Sequence, residues 1–362
     1  MSMIYKLILT LRDLRYRSGK HSVKAEVPTI CVGNITVGGT GKTPHVEMIL
    51  RRLLGAEKLW SPAVLSRGYG RRSRGFQHVT VETDPAFCGD EPLQIKRKFP
   101  LVTVAVDKDR VEGCSILAHP ELAAGIRKCR DKEFPASDII ILDDAWQYRR
   151  LSADLNIVLV AYDKPVTRDS LLPAGRLRDL KRRLYDADVV IVTKCPYALD
   201  EGEKLEYARL LGFDGWDPAG ARATRGTKTL TLLFTGISYC KPEPVFEAGD
   251  SRYTYSAKAV LLTGIADDAP LRMHVSDGCR IMEQLRFPDH HRFTRSDVRR
   301  MRAVMRRHPT ACFLTTEKDA QRLRARKDVP QELQARLFHI PITVDFLSDG
   351  EREIFDKYLT TL

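Results

Sequence analysis

Gly41-Lys42-Thr43 closes a glycine-rich run, Val32-Gly-Asn-Ile-Thr-Val-Gly-Gly-Thr-Gly-Lys-Thr-Pro44, and the combination suits one chemistry, the holding of a nucleotide's phosphates. Backbone with few side chains lets successive N–H groups converge on an anion, Lys42 brings a point charge to the β/γ-phosphates, and the Thr43 hydroxyl is a ligand for Mg²⁺ at a helix N-terminus. Thr36, Gly38, Gly39, Thr40, Gly41, Lys42 and Thr43 are the expected contacts of ATP or GTP. The spacing G-x-x-x-x-G-K-[ST] has glycine where this chain has Thr36, but Gly38 and Gly39 keep the backbone permissive where phosphates would pass.

Three further groups could take part in phosphoryl transfer. Ser137-Asp-Ile-Ile-Ile-Leu-Asp143-Asp144 is an apolar strand that ends in two carboxylates, as needed to bring an acid to the Mg²⁺ of a bound nucleotide. Gly89-Asp90-Glu91-Pro92 sets adjacent carboxylates at the start of a helix, where capping of free N–H groups is the alternative reading. In Phe287-Pro-Asp289-His290-His291, an Asp or His near a γ-phosphate could orient or deprotonate an attacking hydroxyl.

These residues need a scaffold, and the pattern is that of a parallel α/β sheet. Apolar strands are expected at Pro62–Ser66, Leu101–Val106, Asp138–Leu142, Asn156–Ala161 and Asp188–Thr193, with helical or irregular segments between them. The texture changes near residue 222, where Thr227–Gly236 is β-rich and Pro242-Glu-Pro interrupts. A second, smaller α/β run follows, with a strand at Ala257–Gly264, a helix at Ser296–Arg307 and strands at Ala311–Thr315 and near Ile340–Thr343. The N-terminus places Ile4, Leu7, Ile8, Leu11 and Leu14 at helical spacing among Lys6, Arg12, Arg15 and Arg17. This basic amphipathic helix could lie in an anionic membrane interface or pack on its own domain. Residues 1–20, 21–225 and 226–362 are the expected divisions.

The chain has 362 residues, 43% of them hydrophobic, and a formal net charge of +12, so it can bury a full core and should favour an acidic partner. Basic residues gather at Arg67, Arg71, Arg72 and Arg74, at Arg176, Arg178, Lys181, Arg182 and Arg183, and on one helical face at Arg295, Arg299, Arg302 and Arg306. Solvated surface and phosphate contact both account for such groups. Aromatic residues do not interleave with them as a single-strand nucleic-acid platform requires, so nucleic acid is not expected. Eight scattered cysteines without metal-ligand spacing read as reduced thiols, and no apolar run approaches the ~20 residues that span a bilayer.

In shared order, Val32–Pro44, Leu65-Ser-Arg-Gly-Tyr-Gly70, Gly89–Pro92, Leu142-Asp-Asp-Ala-Trp-Gln-Tyr148, Leu172-Pro-Ala-Gly-Arg-Leu-Arg178, Phe287–His290 and Thr316-Glu-Lys-Asp-Ala320 resemble the tetraacyldisaccharide 4'-kinase family of the Gram-negative envelope pathway. The resemblance implies a P-loop NTPase-like parallel sheet domain with a second, smaller α/β domain. It also implies transfer of the γ-phosphate of ATP, with Mg²⁺, to the 4'-hydroxyl of a lipid-linked glucosamine disaccharide 1-phosphate in lipid A biosynthesis. The protein would then be peripheral at the cytoplasmic face of the inner membrane, touching an anionic membrane surface, and monomeric.

Carried over by motif, Lys42 is catalytic, and Thr43, Asp143, Asp144 and Glu91 are the metal set. Asp90 is the base, supported by His290 on the second domain through domain closure. Arg67, Tyr69, Gln147, Tyr148, Arg176 and Arg178 are the expected substrate contacts. Ala145 and Tyr148 stand where the family usually has Gly and His, and Asp179 stands where Glu is common. The competing class is a partition-type, membrane-cycling P-loop ATPase, whose signature lysine before the paired glycines is Val37 here.

Overall fold

A computed structural model describes residues 2–289 and 291–362 as two compact units. The larger comprises Met1–Glu82, Ile95–Ile237 and Val344–Leu362, and the smaller Thr83–Gln94 and Ser238–Thr343. Neither is one stretch of chain: the expected division at 225/226 falls in a hairpin of the larger unit, which also takes in the N-terminal helix and regains the chain at Val344.

The larger unit is built on strands β1 (Thr29–Gly33), β2 (Pro62–Ser66), β3 (Gln77–Val79), β4 (Thr103–Val106), β5 (Ile139–Asp143), β6 (Leu155–Ala161), β7 (Val189–Thr193), β8 (Gly215–Asp217), β9 (Arg222–Arg225) and β10 (Lys228–Tyr239). They are ordered β3-β4-β2-β5-β1-β6-β7-β10-β9-β8. β1, β2, β5 and β7 are buried along their whole length, because a parallel sheet covered on both faces needs continuous apolar strands. β1 lies between β5 and β6, parallel to both, with Val32 in register with Asp143 and with Ile157. The register therefore sets the C-terminal ends of β1 and β5 side by side, the end of a parallel sheet where ligands bind.

In the smaller unit, β11 (Glu243–Pro244), β12 (Lys258–Thr263), β13 (Arg280–Arg286), β14 (Cys312–Thr316) and β15 (Leu337–Ile340) form a sheet in the order β11-β15-β14-β12-β13. The strand expected near Ile340–Thr343 is instead two. Pro341 lacks the N–H a ladder needs, so β15 stops at Ile340 and β16 (Ile342–Phe346) starts afresh and pairs with β10. The helix Arg295–Arg307, closed by a Thr294/Asp297 capping box, buries Val298, Met301, Val304 and Met305 and leaves Arg295, Arg299, Arg302 and Arg306 exposed.

The helix Ser2–Arg17 settles which of its faces packs. Leu9 and Asp13 are buried and Tyr5 and Tyr16 half-buried, an i, i+4 stripe. Ile4, Leu7, Ile8, Leu11 and Leu14 are each more than half exposed, at 55–65%. Asp13 pairs with Arg149 and Arg182 of the larger unit, so the helix is docked by its polar edge. Among the described residues, no helix is long and apolar enough to cross a membrane.

Candidate active site

The phosphate loop leaves β1 at Gly33, where a Cβ would stand 2.4 Å from that of Trp146, so only glycine lets the segment after β5 approach. Left-handed backbone occurs at Gly38 (φ 106°) and at Gly41 (φ 83°), which is the N-cap of the helix Lys42–Leu54. Thr36 needs no such freedom: it is buried and bridges Leu177 in antiparallel fashion. That pairing explains why the usual glycine is dispensable here. It continues as Val37 N–H donates to the Arg176 carbonyl (2.7 Å) and Arg178 N–H to the Ile35 carbonyl (2.9 Å), so residues 176–178 run along the loop.

Buried side chains fix the far end of the loop. Asn34 Nδ2 donates to Thr40 Oγ1 (2.8 Å), and Thr193 Oγ1, from the end of β7, donates to the Thr40 carbonyl (2.9 Å). His45 lies 2.7 Å through Nδ1 from the Gly41 carbonyl and 3.0 Å through Nε2 from Thr235 Oγ1. Burial holds its pKa down at about 4, so the ring is neutral. Since a carbonyl can only accept, Nδ1 carries the proton and Nε2 accepts from the threonine hydroxyl.

Two cations share the carboxylate of Asp144. Lys42 Nζ lies 3.6 Å from Oδ1, and Arg178 donates to both oxygens, reaching Oδ2 at 3.1 Å, and also to Asn34 Oδ1. Burial alone would raise the Asp144 pKa, but Lys42 and Arg178 outweigh it and hold the carboxyl below its ordinary range. Asp144 adopts φ 54°, a conformation Asp tolerates better than most residues. Its neighbour Asp143 is buried at the end of β5 within electrostatic reach of the buried Arg110. Thr43, Asp143 and Asp144 supply only oxygens, the donor type Mg²⁺ takes, and few enough for a cation held largely by substrate phosphates. Among the described residues no group of three His, Cys, Asp or Glu side chains could hold a metal by itself.

Around this cluster, Gln147 Nε2 donates to the Asn34 carbonyl (2.7 Å), and Arg12 of the N-terminal helix donates to the Gln147 carbonyl. Tyr5, from the same helix, donates to the Arg178 carbonyl (3.0 Å). The Tyr148 hydroxyl donates to Asp109 Oδ1 (2.7 Å), and the other oxygen of that carboxylate pairs with Arg150, so Tyr148 is tied into the protein's own network. Arg176 is braced by Asp169 (2.9 Å), whereas Arg67 and Tyr69 are exposed. Asp179 is buried with Arg183, whose guanidinium lies 4.2 Å over the Trp146 ring.

Asp90 and Glu91 belong to the smaller unit, in the first turn of the helix Asp90–Lys98. Asp90 Oδ2 accepts from Arg322 Nε at 2.8 Å, and Glu91 Oε1 pairs with Lys318 Nζ at 2.6 Å. Glu91 is thus ion-paired within its own unit. His290 lies outside the described residues. Its neighbour His291 stacks on Phe287 with ring centroids 4.7 Å apart and meets Asp297 at 2.9 Å.

Sequence reasoning passed over Asn34, His45, Arg110 and Arg322, and singled out Thr193 only as a strand-end residue that could meet the nucleotide base, where it instead holds the Thr40 carbonyl. Asn34 had a usable signal, being a polar residue directly after a buried strand within the phosphate loop. The others act on partners far along the chain, and their local patterns are those of ordinary helix or strand-end residues.

The family model described as Tetraacyldisaccharide-1-P 4'-kinase matches residues 1–360. The Tetraacyldisaccharide 4'-kinase of Phocaeicola vulgatus is 36% identical over 99% of this chain and 93% of its own length. That of Parabacteroides distasonis is 38% identical over 93% of this chain and 86% of its own. Among solved structures, the crystal structure of "apo" form LpxK from Aquifex aeolicus in complex with ATP superposes with a TM-score of 0.69 at 24% identity, covering 99% of this chain and 96% of that one. Nothing in these matches supports a partition-type ATPase.

Proposed function

Because the chain belongs to the tetraacyldisaccharide-1-P 4'-kinase family, a family of phosphotransferases, we propose that it moves the γ-phosphoryl group of ATP to the 4'-hydroxyl of a tetraacyldisaccharide 1-phosphate, a step of lipid A biosynthesis. The observation that carries this reading is the phosphate loop. Its backbone is opened at Gly38 and Gly41, and Lys42 stands at the head of the helix with Asp144 and Arg178 beside it.

In the reaction the 4'-oxygen bonds to the γ-phosphorus, the bond to the β,γ-bridging oxygen breaks and leaves ADP, and the hydroxyl proton passes to Asp90. The transition state is loose, so positioning and charge neutralisation matter more than the strength of the base. Thr36, Gly38, Gly39, Thr40, Gly41 and Lys42 would hold the triphosphate, and Thr43, Asp143 and Asp144 would hold Mg²⁺. When bound, that ion would neutralise phosphate charge during transfer. Lys42 and Arg178 meet the negative charge that shifts during transfer, Asp144 keeps both oriented, and His290 supports Asp90. Gln147, Arg176 and Arg178, with the exposed Arg67 and Tyr69, address the acidic disaccharide; Tyr148 acts there through Asp109.

We also infer that the protein works at the membrane surface where its lipid substrate resides, peripherally and from the cytoplasmic side. The exposed apolar stripe of the Ser2–Arg17 helix and its flanking Lys6, Arg12, Arg15 and Arg17 support this: the stripe would enter the interface and each basic residue adds about 1 kcal/mol near anionic lipid.

The test is transfer from γ-labelled ATP to purified tetraacyldisaccharide 1-phosphate in detergent micelles with Mg²⁺. Label in the lipid is the expected result. ATP hydrolysis with no label in the lipid would overturn the proposal.

A further inference from the structure

The smaller unit carries a second buried ionic cluster whose role the phosphate loop does not explain. Arg322, in the helix Glu317–Arg324, has a side chain only 6% exposed, yet it is charged and meets two carboxylates. Nε and Nη2 both lie 2.8 Å from Asp90 Oδ2, while Nη1 donates to Asp319 Oδ1 (3.1 Å) and to the Gly264 carbonyl (3.3 Å). Asp319 is itself wholly buried, and its other oxygen accepts from Gly264 N–H (2.9 Å) and Thr316 Oγ1 (2.7 Å). A Cβ at Gly264 would stand 2.8 Å from Asp319 Oδ1, so this anchor leaves no room for adjustment.

We propose that Arg322 is a positioning residue for Asp90: anchored at Asp319 and Gly264 on one edge, its guanidinium fork fixes the Asp90 carboxylate for the attacking hydroxyl. This rests on the reading of Asp90 as proton acceptor. Helix capping alone would not call for a buried arginine, since Asp at a helix start is served by backbone N–H groups, and removing an ion from water is costly unless it is paired on every side. The planar fork suits the task because one edge can be held while the other presents two donors to a single oxygen.

The test compares full-length Asp90→Asn, Arg322→Ala, Arg322→Lys and the double variant Asp90→Asn/Arg322→Ala for kcat and for KM toward ATP and lipid. Arg322→Ala is expected to lower kcat roughly 10- to 100-fold with both KM values within about threefold, the signature of a misplaced group. Arg322→Lys, which keeps the charge but cannot span both carboxylates, should fall between. In the Asp90→Asn background, removing Arg322 should cost nothing further. Wild-type kcat in Arg322→Ala, or an equal loss with and without Asp90, would overturn the proposal. If Arg322→Ala does not fold, unaltered kcat in Arg322→Lys does the same. Retained turnover in Asp90→Asn would instead remove Asp90 as base, and the role of Arg322 with it.

Discussion

The two ionic clusters use the same parts in opposite proportion. Among the described residues, two cations of the larger unit, Lys42 and Arg178, share one carboxylate, Asp144, and two carboxylates of the smaller unit, Asp90 and Asp319, share one guanidinium, that of Arg322. Excess positive charge suits a site that must take in a polyphosphate, and Asp144 then serves to hold the cations in place before it arrives. Excess negative charge suits a site that must take up a proton. The stoichiometry of an ion cluster, more than its presence, indicates which direction of charge movement it serves.

Substitutions can break this contrast from either side. Asp90→Ala should reduce turnover the most, by about 10²- to 10⁴-fold, with ATP affinity nearly intact when measured by equilibrium binding; retained turnover would dissolve the distinction. Lys42→Ala should lower turnover by about 10²-fold and, unlike Asp90→Ala, weaken ATP binding as well. Normal nucleotide affinity in that variant would count against the loop. Removing residues 1–17 takes away Tyr5 and Arg12, which reach Arg178 and Gln147, but the cation pair on Asp144 is untouched. Sedimentation with anionic vesicles should therefore fall at least roughly tenfold, from the loss of about 1 kcal/mol per basic residue, while kcat on micellar substrate changes little. Unchanged partitioning would remove the helix from membrane contact.

The smallest effect concerns His45 beneath the loop. Its pKa is about 4 in the folded protein against an ordinary value near 6.5, so between those values the unfolded chain binds a proton that the folded one refuses. Stability is thus unaffected by this group above pH 6.5 and falls as the pH drops toward 4, by up to roughly 1.4 kcal/mol per pH unit. His45→Gln should flatten that slope in denaturant midpoints taken at pH 7.5 and 5. Parallel slopes would show that His45 is not a buried neutral group.

Much of the larger cluster was legible because its parts are local: a strand, a glycine-rich turn and Lys42-Thr43 at a helix start span fifteen residues, and Asp143-Asp144 end a strand of obvious composition. What escaped was the side chain whose neighbours are remote. Arg322 sits near the end of a short helix, where arginine usually complements the helix dipole, and only folding brings Asp90, 232 residues away, to it. The basic run from Arg176 to Arg183 read as solvated or phosphate-binding surface. Arg183 is in fact buried with Asp179 against Trp146 and pairs also with the exposed Asp186, and Arg182 pairs with Asp13. The N-terminal helix shows a third kind of ambiguity: its apolar spacing does not say which stripe faces the protein, and Tyr5, Leu9 and Asp13, not the leucine-rich stripe, supply the contact.

The backbone pairing of residues 35–37 with 176–178 has a thermodynamic consequence. A phosphate loop already stitched to a neighbouring segment, and pinned at Thr40 from Asn34 and Thr193, has little conformational freedom left to lose when nucleotide arrives. Binding should then have the calorimetric character of docking onto a rigid surface, with a heat-capacity change accounted for by the nucleotide's own contact area and no added contribution from a segment that folds on arrival.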